Sequence, residues 1–237
     1  MAKRKNDGVN IAANLDSDLR FRVTESYKSI RTNLCFSLIK SGCKTVVISS
    51  SLPGEGKSTV AVNIAISLAQ MDVRVLLIDC DIRKPKVHRF LSLPSVPGLS
   101  NTLSSMNDLG EALHETKYAN LDVICSGTTV PNPAELLASE QMNTLLQNLQ
   151  QKYDYIILDT PPLNVVSDAI PLIKQSDGVV LVVRENRSTS TELKQTVESL
   201  QIVDGKIIGL ILNDVDTKRK RYSSYHYKYG YGYGYGN

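Results

Sequence analysis

The chain has 237 residues, 42% of them hydrophobic, which suffices for one substantial core, and single α/β domains reach this size. Its net charge of +3 is uneven: from residue 218 onward Lys218, Arg219, Lys220, Arg221 and Lys228 meet no acid, leaving 22 basic against 24 acidic residues before them. A slightly acidic body argues against a broad nucleic-acid surface on the folded part, and apolar runs such as 206–212 fall far short of the roughly 20 residues of a membrane-spanning helix.

Residues 1–19 read as a loose leader, whose MAKRKNDG start lacks the apolar run of a secretory signal. Residues 20–40 predict an amphipathic helix with Val23, Tyr27, Ile30, Leu34 and Leu38 on one face. Strands are predicted at 45–50, 73–79, 121–126, 155–160, 178–183 and 206–212, with helices at about 57–70, 133–151, 165–174 and 189–202. Residues 92–110, rich in Pro, Gly and Ser, read as an excursion beside the sheet. The strands are almost continuous apolar runs, as expected of strands buried on both faces. The predicted fold is therefore α/β, a doubly wound, mostly parallel sheet flanked by helices, with residues 20–217 as one domain and 218–237 as a basic, tyrosine-rich tail. Cys35, Cys43, Cys80 and Cys125 are widely spaced, with no pair at metal-ligand spacing, and read as reduced thiols.

The strand at 45–50 runs through SLPGEGKST into a helix, the setting of a phosphate-binding loop of the P-loop NTPases. Its candidate nucleotide contacts are Pro53, Gly54, Glu55, Gly56, Lys57, Ser58 and Thr59. Glycine lets the backbone turn its N–H groups inward around phosphate oxygens, Lys57 would reach the β- and γ-phosphates of ATP, and Ser58 would ligate Mg2+. The strict pattern opens with glycine, where this loop has Ser51.

Two acidic motifs add chemistry. VLLIDCDIRKP sets Asp79 and Asp81 at the carboxyl end of a strand, where open α/β sheets bind ligands, with Arg83 as a further nucleotide contact; YIILDTPP sets Asp159 at the end of another. Carboxylates there are placed to hold Mg2+ against a triphosphate, although helix capping or a solvated turn also accounts for Asp79 and Asp81 taken alone. Asn213, after the strand at 206–212, either reads an adenine edge or serves turn chemistry.

SSSLPGEGKST, LLIDCDIRKP and IILDTPP, in this order and followed by a C-terminal tyrosine cluster, resemble the bacterial tyrosine kinases (BY-kinases) of capsule and exopolysaccharide synthesis in Gram-positive bacteria. The resemblance spans residues 20–237 and includes ESYKSIRTNL and VPNPAELLAS. It implies that Lys57 and Ser58 bind ATP and Mg2+, that Asp81 and Asp159 place the metal, and that Asp79 accepts or orients the tyrosine hydroxyl proton. It also implies assembly into a homo-oligomeric ring through Glu25, Lys28 and Arg31, with Lys28 standing where the family usually has arginine. A transmembrane adaptor of the polysaccharide co-polymerase type would recruit the cytoplasmic kinase to the inner face of the membrane.

The tail then has a use. Tyr222, Tyr225, Tyr227, Tyr229, Tyr231, Tyr233 and Tyr235 are the expected autophosphorylation sites, and the absence of apolar periodicity with abundant glycine predicts a segment mobile enough to enter an active site. A phenol of pKa near 10 needs positioning and a proton acceptor. Two rival readings are a positioning-type ATPase of the same superfamily, which has no need of the tail, and a nucleic-acid module built on KRKR and Tyr-Gly, which leaves the acidic motifs without a role.

Overall fold

The computed structural model describes residues 17–105 and 109–215. Seven strands form one sheet in the order β3-β4-β2-β5-β1-β6-β7. They are β1 (Lys44–Ser50), β2 (Val75–Asp79), β3 (Leu113–Glu115), β4 (Leu121–Ile124), β5 (Tyr155–Asp159), β6 (Gly178–Arg184) and β7 (Ile207–Asn213). All pairings are parallel except that of β3 with β4. The apolar runs lie where the sequence predicts a sheet covered on both faces: β2 and β5 are buried along their whole length.

One face carries α1 (Ser17–Ser37) and α2 (Lys57–Ala69), the other α7 (Glu140–Gln150) and α9 (Ser190–Ile202). Helix α2 is buried nearly all round, through Val60, Ala61, Ile64, Ala65 and Leu68, because α1 lies over it. Tyr27, Ile30 and Leu34 of α1 face that core as their spacing predicts, and Leu38 joins them just past the helix end. Short helices α3 (Val87–Leu91), α4 (Leu99–Ser105), α5 (Leu109–Ala112), α6 (Pro133–Leu137) and α8 (Ile170–Lys174) complete the chain. All four cysteines are free thiols.

Two predicted helices differ, and short elements join them. The helix expected over 133–151 is two, because Ser139 leaves the helical path and its hydroxyl accepts the Met142 N–H at 3.3 Å, capping α7 afresh. The helix expected over 165–174 begins only at Ile170, since Leu163 and Asn164 donate their N–H groups to Ser50 and Ser51 carbonyls instead. The edge strand β3 and helix α3 are unpredicted: three to five residues carry too little periodicity to announce themselves. The start of α9 follows the rule, with a reciprocal capping box between Thr189 and Glu192.

Truncating Leu76, fully buried in β2, to alanine should cost about 2–5 kcal/mol of unfolding free energy in a denaturant titration, whereas Ile202→Ala, at a side chain 83% exposed, should cost less than about 0.5 kcal/mol.

Candidate active site

The chain leaves β1 at Ser50 and turns back into α2 through two left-handed glycines, Gly54 at φ +81° and Gly56 at φ +93°. Gly56 is also the residue before α2, and any side chain there would collide with the Asn213 carboxamide. No side chain caps this helix, so its first N–H groups stay available to an anion. The rest of the loop is fastened from outside. Asn213 Nδ2 donates to the Glu55 carbonyl at 2.9 Å, Arg187 Nε to Pro53 O at 2.8 Å, and Arg184 Nη1 to Gly54 O at 3.3 Å.

Glu55 differs from its predicted role. Its carboxylate is fully buried and accepts the Leu52 N–H at 2.8 Å, the Arg184 N–H at 3.3 Å and the Ser188 hydroxyl. Pointed at protein donors, it braces the loop and leaves only its backbone for a phosphate. Asn213 likewise has an amide N–H committed to the loop, across 158 residues of chain.

Below the loop lies the charge that the sequence sets at three strand ends. Parallel register makes Asp79 and Asp159 direct neighbours on β2 and β5. Lys57 Nζ, itself buried, stands 2.6 Å from Asp81 Oδ2, 3.9 Å from Asp159 Oδ1 and 3.5 Å from the Ser58 hydroxyl. Burial alone would lower the Lys57 pKa, but Asp159 and Asp81 outweigh it and hold the ammonium above its ordinary value. Asp159 has no exposed surface, and neither of its oxygens accepts a hydrogen bond of ordinary geometry. Its pKa is raised by burial, against the pull of Lys57 and the nearby Ser58 hydroxyl.

Asp79 lies behind the residues that line the cleft. It has no exposed surface, and its oxygens accept the backbone N–H groups of Asp81, Lys86 and Val87 at 3.1 to 3.2 Å. Burial and the adjacent Asp159 hold its pKa above the ordinary carboxylate range. Asp79 thus shapes the turn after β2, and Asp81 is the member of the pair that lines the cleft.

The cleft above the loop has two walls. One comes from the turn after β2 and from α3, with Arg83, Lys84, Lys86 and Phe90; the other is the Pro161–Val166 turn after β5. Arg83 lines the cleft and also grips buried Asp168 through Nε and Nη2 of its guanidinium, at 2.7 and 3.1 Å, and so ties the two walls together. Sequence reasoning missed Lys86, Phe90, Asp168, Arg184 and Arg187. Only the Pro-Pro after Asp159 hinted that the turn beyond β5 has a fixed shape.

On α1, Lys28 pairs with Glu25 at 2.7 Å on an exposed face, whereas Arg31 turns inward and donates to the Ser67 carbonyl of α2 at 2.8 Å. The predicted phosphorylation sites from Tyr222 to Tyr235 and leader residues 1–16 lie outside the described residues.

A family profile described as "AAA domain" matches residues 32–209. The tyrosine-protein kinase YwqD of Bacillus subtilis (strain 168) is 38% identical over 227 residues, covering 95% of either chain. The chain belongs to the bacterial tyrosine-protein kinase family. The kinase domain of Escherichia coli tyrosine kinase ETK superposes on this bacterial tyrosine kinase with a TM-score of 0.79 at 32% identity, over 88% of this chain and 80% of that one. The chimerical protein CapA2B2 superposes with a TM-score of 0.78 at 33% identity, over 88% and 90%. In line with its family's fold, the kinase has a P-loop beside a mostly parallel sheet.

A magnesium ion fits these residues. Among the described residues no group of three or more His, Cys, Asp or Glu is arranged to hold a metal by itself. The Asp159 carboxylate, 3.9 Å from Lys57 but accepting no hydrogen bond of ordinary geometry, beside the Ser58 hydroxyl, is instead the kind of partial donor set Mg2+ completes with water and phosphate oxygens. A buried charge kept for a ligand destabilises the empty protein. Asp159→Asn should therefore raise the melting temperature of the ligand-free kinase by about 2–4 °C in a thermal scan, and abolish the extra stabilisation that Mg2+ with nucleotide confers on the parent.

Proposed function

We propose that this kinase transfers the terminal phosphoryl group of ATP to tyrosine hydroxyls, those of its own C-terminal cluster among them, in the control of capsular or exopolysaccharide synthesis. The observation that carries the reading is the set of Lys57, Asp81 and Asp159, buried under a phosphate loop and short of positive charge, in a member of a tyrosine kinase family. Mg2+, when bound, neutralises charge on the β- and γ-phosphates.

The chain's own residues do the rest. Lys57 gives up Asp81 and turns its ammonium to the phosphates, while Ser58, Asp81 and Asp159 would hold the cation when it is bound. The phenolic oxygen attacks the γ-phosphorus, the bond from that phosphorus to the β–γ bridging oxygen breaks, and ADP leaves. In a loose transition state the nucleophile needs little activation, so the phenol can surrender its proton late, to Asp81. Asp79, by accepting the Asp81 N–H, holds that carboxylate in place.

Two assembly features belong to the same reading. The exposed Glu25–Lys28 pair on α1 is available to a neighbouring subunit in a ring. Among the described residues no helix is long and apolar enough to cross a membrane. A transmembrane adaptor that recruits the kinase is supported by the resemblance and by the likeness to a CapA2B2 chimera.

Incubation with Mg2+ and ATP followed by phosphotyrosine detection tests the reading. The parent should label its tail, Lys57→Met should lose at least about 100-fold in rate, and a chain ending at Thr217 should label an added tyrosine peptide but not itself. Phosphate release without phosphotyrosine would favour a positioning-type ATPase instead.

A further inference from the structure

The cleft above the phosphate loop has an apolar half that phosphate and metal chemistry leaves without a task. Phe90 on one wall faces Pro161, Pro162, Val165 and Val166 on the other. Both walls are built before any ligand arrives. Phe90 packs against the core on the α2 side of the sheet. The opposing turn is pinned to the end of β1 by Leu163 N–H to Ser50 O at 2.9 Å, and to α9 by Asn164 Nδ2 to Glu192 O at 2.9 Å. Within that rigid turn Val165 is nonetheless 55% exposed, an apolar side chain held out over the cleft.

Its position along the phosphate axis says what it meets. The lysine of a phosphate loop reaches the terminal phosphates, and the residues on the Lys57 and Asp81 side of the loop are those that follow β2 and β5. The loop's other flank is held by Arg184, Arg187 and Asn213, from the ends of β6 and β7. The apolar residues thus share the Lys57 and Asp81 end of the cleft, the end where a phosphate-loop lysine meets the terminal phosphate.

We propose that Phe90, Pro162, Val165 and Val166 form the seat of the acceptor tyrosine, gripping the flat phenol ring so that its oxygen meets the γ-phosphorus beside Asp81. The Arg83–Asp168 pair sets the width of that seat by joining the segments that carry its two walls. The occupant fits the chain beyond the described residues: 216–237 leaves from the end of β7 and carries seven tyrosines, four of them followed directly by glycine, which has no side chain to strike the rim. This seat rests on the kinase reading and names where its substrate binds.

The test measures Val165→Asp and Val165→Leu in the full-length protein with ATP, Mg2+ and the peptide Gly-Tyr-Gly-Tyr-Gly. Removing an apolar wall should raise the acceptor KM of V165D at least about tenfold while the KM for ATP moves less than about twofold, and V165L should stay close to the parent. A parallel rise in the ATP KM would overturn the proposal by making the wall part of the nucleotide site, and an unchanged acceptor KM would overturn it outright. If the parent labels no tyrosine, the kinase reading falls. The seat is then decided by saturation-transfer NMR of N-acetyltyrosinamide with a non-hydrolysable ATP analogue: a signal weakened by V165D supports it, and no signal or an unaffected one refutes it.

Discussion

One buried ammonium, that of Lys57, serves three buried carboxylates, and the rest of the structure can be understood from that shortage. Two of them, Asp79 and Asp159, are register partners on adjacent parallel strands, so the charge of Asp159 bears on Asp79. Water cannot relieve them, because neither has exposed surface. Asp79 is relieved by three backbone N–H groups and a raised pKa, and Asp81 by a 2.6 Å contact with Lys57. Asp159 keeps the unmet demand. A site with that imbalance is stabilised by an incoming cation, and a cation with a triphosphate also gives Lys57 a new anion to hold.

The fold exists around this arrangement in a concrete sense. The strand order places β5 between β2 and β1, so the two acidic strand ends and the phosphate loop emerge side by side. The loop is then braced by groups distant in sequence. Glu55 gathers donors from Leu52, Arg184 and Ser188, and Asn213 and Arg187 hold carbonyls of Glu55 and Pro53. Rigid bracing matters because a phosphate cradle contributes to transfer only if its N–H groups are already aimed when charge develops.

The sheet and the loop were legible in the sequence because each rests on short-range signals: unbroken apolar runs for β1, β2, β5 and β6, and the glycine spacing for the turn into α2. That Asp79, Asp81 and Asp159 gather near Lys57 followed from strand-end placement and the phosphate-loop pattern, whereas the choice of Asp81 and Asp159 for the metal came from the family resemblance. What stayed hidden depends on long-range pairing. Nothing near Glu55 announces that its carboxylate will turn away from the phosphates toward Ser188, more than a hundred residues on. Nothing near Arg83 names Asp168 as its partner. Asp79 and Asp81 are indistinguishable as letters two apart, yet β2 ends at Asp79, and the turn that follows folds its own N–H groups onto Asp79 and sets Asp81 in the lining of the cleft.

A crystal structure with Mg2+ and a non-hydrolysable ATP analogue tests the central claim most directly. The account predicts that Lys57 Nζ leaves Asp81 for a β- or γ-phosphate oxygen, and that the cation sits on the Ser58 hydroxyl with Asp159 facing it. A triphosphate bound elsewhere, or a Lys57–Asp81 ion pair that persists beneath it, would contradict the account.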